Sequence, residues 1–77
     1  MDRKPSPTGV TRLEAFMRAN KLKPVDVAKE SGLSRQQLLR LRMGRQTPRL
    51  LTAMRIRDAC GRLLVRYVQI AEVFEVD

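Results

Sequence analysis

The stretch from Pro24 to Met43 constrains the chain most, because its glycine and its apolar residues fall where one local geometry satisfies them together. Ala28 is followed four residues later by Gly32, and Leu38 and Leu41 stand six and nine residues beyond that glycine. Pro24 suits the first turn of a helix, since its missing N–H would have had no partner there. Gly32 stops that helix in a turn where a positive φ is needed, which glycine meets without strain. Ser34 then supplies the N-cap of a following helix, running to about Met43 with Gly44 as its stop. Ala28 leaves room for two helices to cross closely, while Leu38 and Leu41, three apart, point to one side. The spacing predicts two short helices joined by a tight turn at a steep angle.

The same punctuation extends to both sides. Thr11-Arg12-Leu13-Glu14 fits a capping box, in which the Thr11 hydroxyl accepts from the Glu14 amide and the Glu14 carboxylate returns to Thr11. Leu13, Phe16 and Met17 form an apolar stripe for a first helix ending near Asn20. Thr47-Pro48 predicts the start of a fourth helix, with Leu50, Ala53, Met54, Ile56, Cys60, Leu63 and Leu64 on its buried face; Gly61 leaves its end open. Tyr67 and Val68 read as extended, and Ile70, Val73 and Phe74 as a last short helical turn. The expected fold class is all-α, a compact bundle of about five short helices. Residues 1–10, with two prolines and a glycine, read as a flexible N-terminal tail, and 11–77 as the one domain. Only three aromatics occur in 77 residues, so the core is aliphatic and small.

Charge narrows the function classes. Sixteen Lys and Arg against eight acids give +8. Between Glu30 and Asp58 there is no acid, yet Arg35, Arg40, Arg42, Arg45, Arg49, Arg55 and Arg57 all fall there. Such segregation builds a one-signed field that attracts polyanions. There is no histidine and only one cysteine, Cys60, so the commonest general base, a disulfide framework and a four-ligand zinc site are all missing. No nucleophile motif, paired-carboxylate spacing or phosphate-cradling glycine loop replaces them. The expectation is a protein that is not an enzyme, holds no metal or cofactor, and keeps Cys60 as a small buried hydrophobe. The polar start and the absence of a long apolar run predict a soluble, cytoplasmic protein without a membrane span.

With Leu38 and Leu41 inward, a step of about 100° per residue puts Gln36, Leu39, Arg40 and Met43 on the opposite face, with Arg35 on the flank. Of these, Met43 reads as a packing residue. Arginine can bond guanine O6 and N7 together, glutamine can bond adenine N6 and N7, and an exposed leucine can cover a thymine methyl. Arg35, Gln36, Leu39 and Arg40 are therefore the candidate base-reading residues. Arg42, Arg45 and Arg49, toward the helix end and the next loop, suit phosphate contact, and Gln37 is grouped with them.

The segment Pro24–Leu41, with Gly44-Arg45-Gln46-Thr47-Pro48 after it, resembles the lambda-repressor-like (Cro/repressor) helix-turn-helix family across about residues 11–74. The resemblance implies a DNA-binding domain in which Arg35, Gln36 and Arg40 occupy base-reading positions and Ser34 both caps its helix and touches phosphate. Two departures stand out. Pro24 occupies the position where the family commonly carries a phosphate-binding glutamine, and after Gly61 the likeness is loose, so the family's dimer geometry does not carry over.

Two readings follow. In the first, the chain is a sequence-specific transcriptional regulator that reads double-stranded DNA. It then pairs as a homodimer on half-sites, using part of the apolar stretch Leu64, Val65, Tyr67, Val73, Phe74 and Val76; those residues can equally close the core. In the second, the same scaffold is a protein-binding module, for example an antitoxin or a regulatory subunit, that takes an acidic protein partner.

Overall fold

A computed structural model describes residues 11–74, so the expected tail over 1–10 and the terminal Val76 lie outside it. Four of its helices end in the same way. After each, one residue turns left-handed and the next N–H reaches back five residues: Leu22 to the Met17 carbonyl (2.9 Å), Leu33 to Ala28 (3.1 Å), Arg45 to Arg40 (2.9 Å) and Arg66 to Gly61 (3.0 Å). This closes carbonyls that a helix end would otherwise leave without partners. The elements so bounded are α1 (Arg12–Ala19), α2 (Pro24–Ser31), α3 (Arg35–Arg42) and α4 (Leu50–Leu64), followed by the single turn α5 (Ile70–Val73). Among the described residues there is no strand, and no helix is long and apolar enough to cross a membrane.

The left-handed residue is glycine after α2 (Gly32, φ 78°) and after α3 (Gly44, φ 75°), but Lys21 (φ 55°) after α1 and Val65 (φ 57°) after α4. Valine is costly there, because its branched Cβ crowds the backbone. The end of α4, which Gly61 left open in the sequence, lies at Leu64. Gly61 serves a different purpose. A Cβ at that position would sit 2.8 Å from the Arg66 carbonyl oxygen, so its absence lets the returning chain lie against α4. That return carries Val68 into the core.

The core joins Leu13, Phe16 and Met17 of α1, Val27 and Ala28 of α2, Leu38 and Leu41 of α3, Ile56 and Cys60 of α4, and Val68 and Val73 of the C-terminal return. α2 lies along α4 and α1 along α5, while α3 rests on α2 and α1. Burial pushes the Cys60 thiol up to about 11, which keeps it protonated and inert.

Two details of α4 depart from the sequence reading. α4 begins at Leu50 rather than at Thr47-Pro48, with Arg49 as an extended N-cap that offers no side-chain bond. Leu50, expected inside, is 71% exposed on the rim of an open groove, and Met54 is only half-buried, whereas Ala59 is fully buried. In the C-terminal stretch Val73 is buried and Leu64 and Phe74 pack on the core, but Val65 and Tyr67 are 88% and 71% exposed.

Two substitutions test these helix ends. Gly61→Ala gains about 1 kcal/mol of helix propensity, but overpacking against a backbone carbonyl costs about 1–3 kcal/mol, and the clash is expected to win. Val65→Gly relieves left-handed strain of about 1–2 kcal/mol, part of which glycine returns as unfolded-state entropy. Thermal unfolding followed by circular dichroism should show the midpoint falling for Gly61→Ala and rising for Val65→Gly. A Gly61→Ala chain that melts at or above the wild-type temperature would contradict the close approach.

Candidate nucleic-acid interface

Three local features seat α3. The left-handed Gly32 turns the chain out of α2, and Ser34 then caps the new helix, its Oγ accepting from the Gln37 amide (3.0 Å). Gln37 completes a capping box, since its Oε1 accepts from the Ser34 N–H at 3.4 Å. The sequence reading placed Ser34 correctly as the cap but did not assign Gln37 this part, although a glutamine three residues after a serine is the recognised signal. Leu38 (1% exposed) and Leu41 (4%) then anchor the helix in the core.

Opposite those leucines the expected face is open. Gln36 and Arg40 are exposed, as is Arg35 on the flank, and Leu39 is 44% exposed. Met43, expected to pack, is 54% exposed at the end of the same face. Arg45 and Arg49 are exposed in the link to α4. No acidic side chain occurs in α3, and among the described residues no ion pair involves Arg35, Arg40, Arg45 or Arg49. Four of the described acids are engaged elsewhere: Glu14 with Arg18 and Arg42, Glu30 with Arg62, Asp58 with Arg57, and Glu72 with Arg66. Arg35, Arg40, Arg45 and Arg49 thus form an acid-free run of exposed positive charge along α3 and the link that follows it, while Lys21, Lys23, Lys29 and Arg55 carry further exposed charge elsewhere on the surface.

Arg42 is the exception among the expected phosphate contacts. Its Nε donates to Glu14 Oε1 at 2.6 Å and its Nη2 to Glu14 Oε2 at 3.3 Å, which ties the end of α3 to α1. The Thr11 hydroxyl adds a second tie, donating to the Arg42 carbonyl at 2.7 Å. Arg18 holds the same carboxylate at 3.0 Å. Only half of the expected capping box at α1 is present: Thr11 accepts from the Glu14 amide (3.0 Å), but the carboxylate serves the two arginines instead of returning. A charged fork outbids a neutral amide for a carboxylate. Arg18, four residues after Glu14, was a visible partner in the sequence; Arg42, twenty-eight residues on, was not.

The hydrogen bond from Arg42, aided by the charges of Arg42 and Arg18, holds the Glu14 carboxyl below its ordinary value of 4.5 against the opposing effect of burial. A carboxylate whose folded pKa is depressed contributes stability above its unfolded pKa and loses it as pH falls through the folded value. Glu14→Gln is therefore expected to be less stable than wild type at pH 6, with the gap closing as the solution is acidified below about pH 4. Urea unfolding midpoints of both chains at the two pH values check this, and a gap that stays constant would contradict it.

Comparison of the chain with protein-family models, with curated proteins and with solved structures finds no match, so the interface rests on its own geometry.

Proposed function

We propose that the chain is a sequence-specific DNA-binding regulator, in which α2 and α3 form a helix-turn-helix and α3 enters the major groove. The observation that carries this reading is the division of α3. Leu38 and Leu41 are sealed in the core, while an acid-free set of arginine and glutamine side chains, with Leu39, faces outward. Eight helical residues span about 12 Å, close to the width of the B-DNA major groove.

In this reading Arg40 and Arg35 address guanine edges, Gln36 addresses adenine, and Leu39 covers a thymine methyl. Ser34, Gln37, Arg45 and Arg49 face the phosphates, and Arg42 does not. A lone helix supplies limited affinity, so a second copy on a half-site about 34 Å away is the expected arrangement. Each copy measures 35 × 25 × 23 Å, so neighbours at that spacing lie close enough to touch.

One observation favours the second reading, a docking module for a protein partner: Val65 and Tyr67 are large, apolar and exposed. Salt dependence separates the two. Three to six phosphate contacts give a slope of log affinity against log salt of about −3 to −5 on duplex DNA. Arg40→Ala should keep its helical circular dichroism while losing about 1–3 kcal/mol of discrimination between the preferred duplex and a scrambled one. A slope near zero on every duplex would exclude DNA and leave the docking reading.

A further inference from the structure

We infer that Glu14 is a positioning residue that sets the base discrimination of α3, by fixing the roll of that helix and by withholding Arg42 from the phosphate backbone. The inference rests on the DNA-binding reading and adds a residue that lies on α1, away from the reading face.

Leu38 and Leu41 decide which side of α3 faces inward, but apolar burial has no direction of its own and tolerates a small roll about the helix axis. Base reading does not tolerate it. A side-chain tip 5–6 Å from the axis moves about 2 Å for a roll of about 20°, enough to break a bidentate set that requires donor–acceptor distances near 3 Å. Directional bonds are needed to remove this freedom. At the N-terminal end of α3 the Ser34–Gln37 box is internal to the helix and holds it to nothing else.

At the other end three bonds cross from α1: two from Arg42 to Glu14 and one from the Thr11 hydroxyl to the Arg42 carbonyl. The Glu14 side chain is only 11% exposed and that of Arg42 20%, so solvent screens this pair less than it screens a surface contact. Arg18 holds the second carboxylate oxygen, which keeps the carboxylate itself from turning.

The same bonds have an electrostatic consequence. Arg42 stands one residue before the end of the reading face and carries a full charge that would suit any phosphate, whatever the sequence. Glu14 neutralises it and leaves the sequence-independent part of binding to Arg45 and Arg49. Removing the Glu14 charge should therefore act in opposite directions on the two parts of binding. Discrimination falls because α3 can roll, and indiscriminate affinity rises because Arg42 is released.

The test compares wild type, Glu14→Gln and Arg42→Met, each confirmed folded by circular dichroism at the assay temperature. Binding is titrated on a selected duplex and on a scrambled one over a range of salt. For Glu14→Gln the ratio of the two affinities should fall about fivefold or more, while the salt slope on the scrambled duplex steepens by about one phosphate contact. Arg42→Met should lose discrimination similarly with no change in slope, and it carries the test alone if Glu14→Gln does not fold. Affinities that fall together on both duplexes at unchanged slope would show a merely structural tie and overturn the inference. A wild-type chain with no salt-dependent duplex binding would overturn the DNA reading, and this inference with it, before any variant is compared.

Discussion

The seating of Leu38 and Leu41 in the core governs what every other side chain of α3 can do. Both are essentially sealed from water, and each buried leucine is worth about 1.5–3 kcal/mol relative to exposure. In a domain this small that is a large share of the net stability, so the helix has no competitive alternative face to bury. The opposite face, with Gln36, Leu39 and Arg40, is then outward by necessity.

Electrostatics follows the same division. Net charge of +8 works against a compact state, yet four of the described acids pair with arginines on α1, the end of α3, α4 and the segment that follows α4. Most of these pairs are exposed and individually weak. Their larger effect is on the distribution of charge, since they occupy four of the described acids away from the outward face of α3 and leave Arg35, Arg40, Arg45 and Arg49 without a counter-charge. Glu14 is the pair that also does mechanical work, joining the first helix to the end of the third.

Much of this could be read from the sequence because it is encoded locally. Gly32, Gly44 and Ser34 announce their roles through backbone preference alone, and the interval between Leu38 and Leu41 fixes a face. What escaped depends on distant residues or on the absence of a side chain. Gly61 left the end of α4 open in the sequence, and its function, to admit the Arg66 carbonyl, is one no local pattern reveals. Val65 and Lys21 end helices against their own preference, so propensity pointed away from them. Arg42 looked like one more outward arginine until α1 folded against it. Leu50 lay on an apolar stripe, but at the end of α4 that borders an open groove, so periodicity predicted its side and not its burial.

The central claim is that the outward face of α3 is the surface that meets DNA. Amide NMR spectra of the chain during titration with a duplex obtained by in vitro selection test it most directly. Signals of Arg35, Gln36, Leu39 and Arg40 should move most, and those of Arg45 and Arg49 should follow. Movement confined to the Val65–Tyr67 region, with α3 undisturbed, would contradict the account.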